Sequence, residues 1–255
     1  MPENAALHAN NHPTPMTAPS TPPGWYGKLP TLGDFASRRL ESSFIEPWDA
    51  WLAQGIATLR EQSGDAWLDA YLASPVWRFV LMPGALPGTA THADTAMAGV
   101  LMPSVDRVGR YFPLTLAAPL HTLPSSPQEL TALMGWLHQL DDVAADALHD
   151  DWDVEQLESE LARLPWVCTA TAPAPGSEAL LSVLAGHAQH ASLPLNGRAD
   201  LNALLGQGAA SQWHRATQGL SFWWAESNQE APRSLLSRGL PQGDGFAALL
   251  GLAPT

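Results

Sequence analysis

The sequence predicts an α/β protein of the α+β kind: a central, largely antiparallel sheet flanked by helices on both faces, sandwich-like. Three observations predict it. Short apolar runs follow one another closely between residues 77 and 120, as in a meander rather than a helix-separated parallel sheet. Those runs are apolar almost continuously, so both faces of the sheet need cover. Helical stripes of apolar residues lie before and after them and supply it.

The 255 residues are enough for one sizeable core, and 45% of them are hydrophobic. Eleven tryptophans are more than such a chain needs, and each asks for a packed site with a partner for its ring N–H. The formal net charge of −13 disfavours nucleic acid and anionic membrane as partners. Lys28 is the single lysine, so the positive charge is almost all arginine. No run approaches the ~18 apolar residues of a membrane span. No basic segment followed by an apolar block opens the chain, so no signal peptide is expected. Cys168 is the one cysteine and excludes an internal disulfide. A cytoplasmic protein fits all of this.

In chain order, Met1–Pro23 is rich in Pro, Ala, Thr, Asn and His, lacks periodicity and reads as a disordered tail. His8 and His12 stand four apart there with no helix to make them a metal site. Residues 24–255 read as one domain, with a possible small subdomain from about Pro173. Trp25–Phe35 predicts a first short strand and a tight loop around Gly27, Pro30 and Gly33. Gly27-Lys28 lacks the glycine-rich run and following Ser/Thr of a phosphate loop. Pro47 is expected to open a helix whose buried face carries Trp48, Trp51, Leu52, Ile56 and Leu59. Asp65 would cap a second, with Trp67, Leu68, Tyr71 and Leu72, stopped by Pro75.

Strands are expected over Trp77–Met82, Ala96–Met102 and Pro113–Leu120. Ser126-Pro127-Gln128-Glu129 predicts a helix start with a capping box, and Leu130, Leu133, Met134, Leu137, Leu140 and Val143 its buried face. A further helix starts at Asp153, with Gln156 three residues on. Nine acids and no lysine or arginine lie between Asp141 and Glu160, as a solvated face or an acidic patch for a partner. Pro165–Ala170 is a strand candidate, Pro173–Gly176 a linker and Glu178–Gly186 a small helix. Leu193–Ala210 is ambiguous. Gly219–Trp224 is the last clear strand, Leu235–Gly239 its hairpin mate, and Phe246–Leu250 a final helix.

The chemistry concentrates in Gly99–Leu120, where Pro103–Arg110 sets two arginines, an aspartate and a turn glycine between core-type runs. That density stands out in a chain only 15% charged. The forked guanidinium groups of Arg107 and Arg110 suit a carboxylate or phosphate. They are equally suited to pair with Asp34 or Asp106 and fix the loop. Asp34, Asp49 and Asp106 serve as paired acids or as caps and loop residues. Ser104 lacks a histidine near it in sequence, no nucleophile elbow is present, and Cys168 sits in an apolar run as an inert thiol. His187 and His190 lack the companions of a zinc motif. Neither a cofactor nor a metal is expected.

The segments GWYGKLPTLGDF, EPWDAWL, DAWLDAYLASPVWRF, GVLMPSVDRVGRYFPLTLAAPL and SFWWAES…GLP resemble the TagF (ImpM) family of type VI secretion accessory proteins, over roughly Gly24 to Leu252. The resemblance implies a post-translational repressor, not an enzyme, that binds a forkhead-associated scaffold protein of the secretion system. The residues expected to meet that partner are Lys28, Asp34, Ser104, Asp106, Arg107 and Arg110, with Trp48 and Trp51. The alternative is a hydrolase or phosphoryl-transfer enzyme using Asp34, Asp106, Arg107 and Arg110.

Overall fold

The computed structural model describes residues 21–64, 66–87, 95–166, 174–193, 195–226 and 231–250. Among them are seven strands: β1 (Gly24–Gly27), β2 (Ala36–Arg38), β3 (Trp77–Leu81), β4 (Ala96–Met102), β5 (Leu114–Leu120), β6 (Leu220–Ala225) and β7 (Arg233–Arg238). All pair antiparallel in one sheet, as the apolar runs predict, and the order of the strands is β2-β1-β5-β4-β3-β6-β7. The helices are α1 (Ser42–Ser63), α2 (Ala66–Ala73), α3 (Pro127–His149), α4 (Val154–Leu161), α5 (Ser177–Leu184), α6 (Arg198–Ala216) and α7 (Asp244–Leu249). No described helix is long and apolar enough to cross a membrane.

Every residue of β4 is buried, so this central strand is covered on both faces. On one face α1 and α7 pack Trp48, Trp51, Ile56 and Phe246 against Phe79 and Trp223. On the other, α3 and α4 pack Leu133, Leu137, Leu140 and Leu157 against Val100 and Leu116. Two glycines permit the close approaches this needs. A Cβ on Gly99 of β4 would stand 2.2 Å from the Leu116 carbonyl oxygen of β5. Gly27 has φ +136°, and its Cβ would meet the Pro113 oxygen at 2.1 Å.

Several expectations need correction. Pro47 lies inside α1 and does not open it. The helix starts at Ser42 because Phe44 is buried and stacks on Trp48 one turn later, at 5.2 Å. That burial outweighs the missing N–H of the proline. At the start of α3, Ser126 accepts the Glu129 N–H and Pro127 follows, but the Glu129 carboxylate reaches the Ser125 N–H and hydroxyl. Leu130 and Met134 are exposed, because the sheet takes only the inner part of the α3 stripe. The capping box of α4, Asp153 with Gln156, forms as expected. The ambiguous Leu193–Ala210 stretch holds most of α6, and β2 is a strand that no apolar pattern announces. Trp166 is outside any strand; Asp65, Cys168 and residues 167–170 lie outside the described set.

Candidate functional site

β4 ends at Met102 and β5 begins at Leu114, and the stretch 103–113 between them doubles back on itself. Val105 and Tyr111 form an isolated antiparallel bridge, and Gly109 turns the chain at φ +82°. Within the turn the Asp106 N–H donates to the Arg110 carbonyl at 3.1 Å, and the Gly109 N–H to the Asp106 carbonyl at 2.9 Å. Sequence order thus forces Asp106 and Arg110 to face each other across a tight loop.

The Asp106 carboxylate is the centre of the site and is buried. One oxygen accepts the N–H groups of Val108 and Arg110, at 3.0 and 2.9 Å. The other accepts the Lys28 ammonium at 2.9 Å and the Arg110 Nε at 2.7 Å. Burial alone would raise this carboxyl. The Arg110 N–H, the Lys28 ammonium, the Arg110 guanidinium and the Val108 N–H outweigh it, and hold the group well below the usual carboxylate range.

The loop 28–35 is drawn to the same centre. Lys28, itself buried, also lies 4.8 Å over the Phe35 ring. The Ser104 hydroxyl donates to the Lys28 carbonyl at 2.7 Å, and the Arg107 N–H to the Leu32 carbonyl at 2.9 Å. The outer nitrogen of Arg110 bonds the Gly33 carbonyl at 2.5 Å and lies 3.8 Å from Asp34. From below, the buried Tyr71 hydroxyl accepts the Ser104 N–H at 2.8 Å and donates to its carbonyl at 2.9 Å. Burial pushes the Tyr71 phenol up, well above its ordinary value.

Six of the eight residues expected to form the site are therefore brought together: Lys28, Asp34, Ser104, Asp106, Arg107 and Arg110. Trp48 and Trp51 are not among them. Both are core, with ring N–H groups given to the Thr115 hydroxyl at 2.9 Å and the Pro241 carbonyl at 2.7 Å. Tyr71 and Phe35 were not foreseen. The Tyr71 signal, a phenol on a buried helix face, only asks for some polar partner.

The outer surface is a mixed cationic and apolar platform. Arg107 is exposed, with no ion pair or side-chain hydrogen bond among the described residues, and its guanidinium lies across Gly33. Beside it stand half-exposed Arg110, Val108 and Phe35, the last stacked on Tyr26 at 5.9 Å and edge-on to Phe112 at 4.8 Å. Chemically the arrangement offers exposed guanidinium donors and apolar side chains on a rigid base. A carboxylate with both oxygens engaged by four donors is poorly placed as a general base or nucleophile. Among the described residues no group of three or more metal-ligating side chains converges.

A second charged cluster, which no local motif announces, sits under α3. Arg78 of β3 is buried and meets Asp141 at 2.5 Å, Glu226 at 2.7 Å and the His138 ring at 3.1 Å. Burial raises the Asp141 carboxyl, and the charge of Arg78 opposes this without cancelling it. The signal was an arginine within the apolar run WRFVLM.

Residues 24–164 match the family model of the TagF N-terminal domain, described as type VI secretion system-associated. The chain belongs to the TagF family. The crystal structure of PA0076 from Pseudomonas aeruginosa PAO1 is 34% identical, with a TM-score of 0.64, over 91% of this chain and 96% of that one. No curated protein matches. This TagF-family chain is thus a type VI secretion-associated protein, and all six clustered site residues lie inside the matched span.

Proposed function

We propose that the chain is a cytoplasmic accessory regulator that restrains type VI secretion by binding a forkhead-associated scaffold protein, with the 103–113 loop as the contact surface. Family membership supports the secretion role. One observation supports the surface: the Lys28–Asp106–Arg110 centre is saturated internally, and Arg107, Val108 and Phe35 are left facing outward. A pre-organised loop loses little conformational entropy on docking. Arginine and aromatic side chains are also the commonest anchors of protein interfaces.

The test is a pull-down and titration of the purified chain against the forkhead-associated scaffold of its own secretion gene cluster. Arg107→Ala removes the exposed guanidinium without touching the buried centre. It is expected to keep the Tm and lose ~2 kcal/mol of binding, about thirtyfold in Kd. Unchanged binding would move the contact elsewhere. No binding by the unaltered chain would remove the scaffold as partner and reopen hydrolysis or phosphoryl transfer.

A further inference from the structure

The sheet ends differently at its two edges. β2 is three residues long and runs into Arg39 at φ 60°, a kinked backbone that limits further pairing. β7 is six residues long, alternates half-buried and exposed positions, and has a neighbour only in β6 among the described residues.

The β7 ladder fixes which backbone groups are open. The Gly239 N–H donates to the Gly219 carbonyl at 2.7 Å, just beyond the strand end. In an antiparallel pair hydrogen-bonded positions alternate. Ser237, Leu235 and Arg233 therefore face β6, and the N–H and C=O groups of Ser234, Leu236 and Arg238 point away from the sheet. Those three are also the exposed residues of the strand. Leu236 is 58% exposed and lies opposite Phe222 of β6, whose ring is 6.2 Å from that of Trp213, also 58% exposed. Among the described residues an open ladder thus borders an apolar patch.

We infer that β7 receives an extended segment of a partner protein as an eighth strand, one whose carboxylates flank apolar residues. The charge selects the occupant. Arg233 and Arg238 stand at the two ends of β7 with no acid between them, in a chain of net charge −13. A second copy would bring another Arg238 and no acid to the same short ladder. An acidic segment brings a carboxylate toward Arg238 and an apolar side chain onto Leu236, while its backbone completes the ladder. This surface is separate from the 103–113 loop. β7 lies four strand spacings from β5, about 19 Å across the sheet.

The test is ¹⁵N–¹H NMR of the full chain titrated with an acetylated, amidated peptide of three Glu-Val repeats, with three Lys-Val repeats as control. Amide shifts of Ser234, Leu236 and Arg238 are expected to exceed those of Arg233, Leu235 and Ser237. Raised salt and Arg238→Gln should weaken them. Leu236→Pro removes an outward N–H and none of the β6 ladder, so it should abolish binding. Should that variant melt early, Leu236→Asp keeps the N–H and repels the probe. No shift at millimolar peptide, equal response to the Lys-Val peptide, or binding that survives both variants would overturn the inference. So would a dimer of the chain alone, seen by sedimentation and lost in Leu236→Pro.

Discussion

Lys28 shows what a single residue does here. Its ammonium is buried and held by Asp106 and by the Arg110 carbonyl, 3.4 Å away, so it braces the loop from within while Arg107 faces outward. The pairing has a pH signature. The folded Asp106 carboxyl lies below its ordinary 3.8, so its stabilisation is present above that value and is lost as pH falls through the folded one. Melting temperature measured from about pH 6 down to about pH 2 should show this acid limb, and Asp106→Asn should flatten it while lowering the Tm at neutral pH. An unchanged limb in Asp106→Asn would place the acid sensitivity in other carboxylates. The charge density of 103–110 was legible in the sequence, where Arg107 and Arg110 stood equally as ligand-binding forks or as partners of Asp34 or Asp106; among the described residues Arg110 makes such pairs and Arg107 does not. Tyr71 was not, because its partner Ser104 is 33 residues away and only the folded chain brings them together.

Among the elements, local signals succeeded where they were chemically complete. Ser126-Pro127 and Asp153…Gln156 fix helix starts with their own side chains, and both hold. Ser126→Ala is expected to cost ~1 kcal/mol, read as a lower denaturant midpoint with an unchanged slope. A changed slope would mean that more than the cap is lost. Signals failed where tertiary packing decides. The three residues of β2 carry no pattern of their own and become a strand by pairing with β1. In α6 the low helix propensity of Gly206 and Gly208 hid the helix. Gly208 faces α5, where a Cβ on it would stand 2.9 Å from the end of the Leu180 side chain. Proline favours a helix start, which points to Pro47, and the buried Phe44 upstream overrides that preference.

At the scale of the whole molecule, Arg78 ties the α3 layer to the sheet. Removing one partner of a buried pair costs ~3–5 kcal/mol, and solvent reaching Asp141 and Glu226 reduces that here. Arg78→Met is therefore expected to cost about 2–3 kcal/mol in chemical denaturation, and Arg78→Met with Asp141→Leu to recover part of it. Strict additivity would show that the two do not act as a pair. The fold class was legible because continuous apolar runs demand two covered faces. The strand order was not, since nothing in the sequence says that β1 joins β5 or that β6 joins β3. That order also governs how the chain acquires its structure. Trp51 bonds a carbonyl 190 residues away and Trp77 one 172 away, so the tryptophan core closes only when the last helix arrives. Contacts of such span close slowly. During synthesis α1 leaves the ribosome long before β6, with its aromatic face uncovered. The interval between them is when this chain is most open to aggregation or to capture by a chaperone.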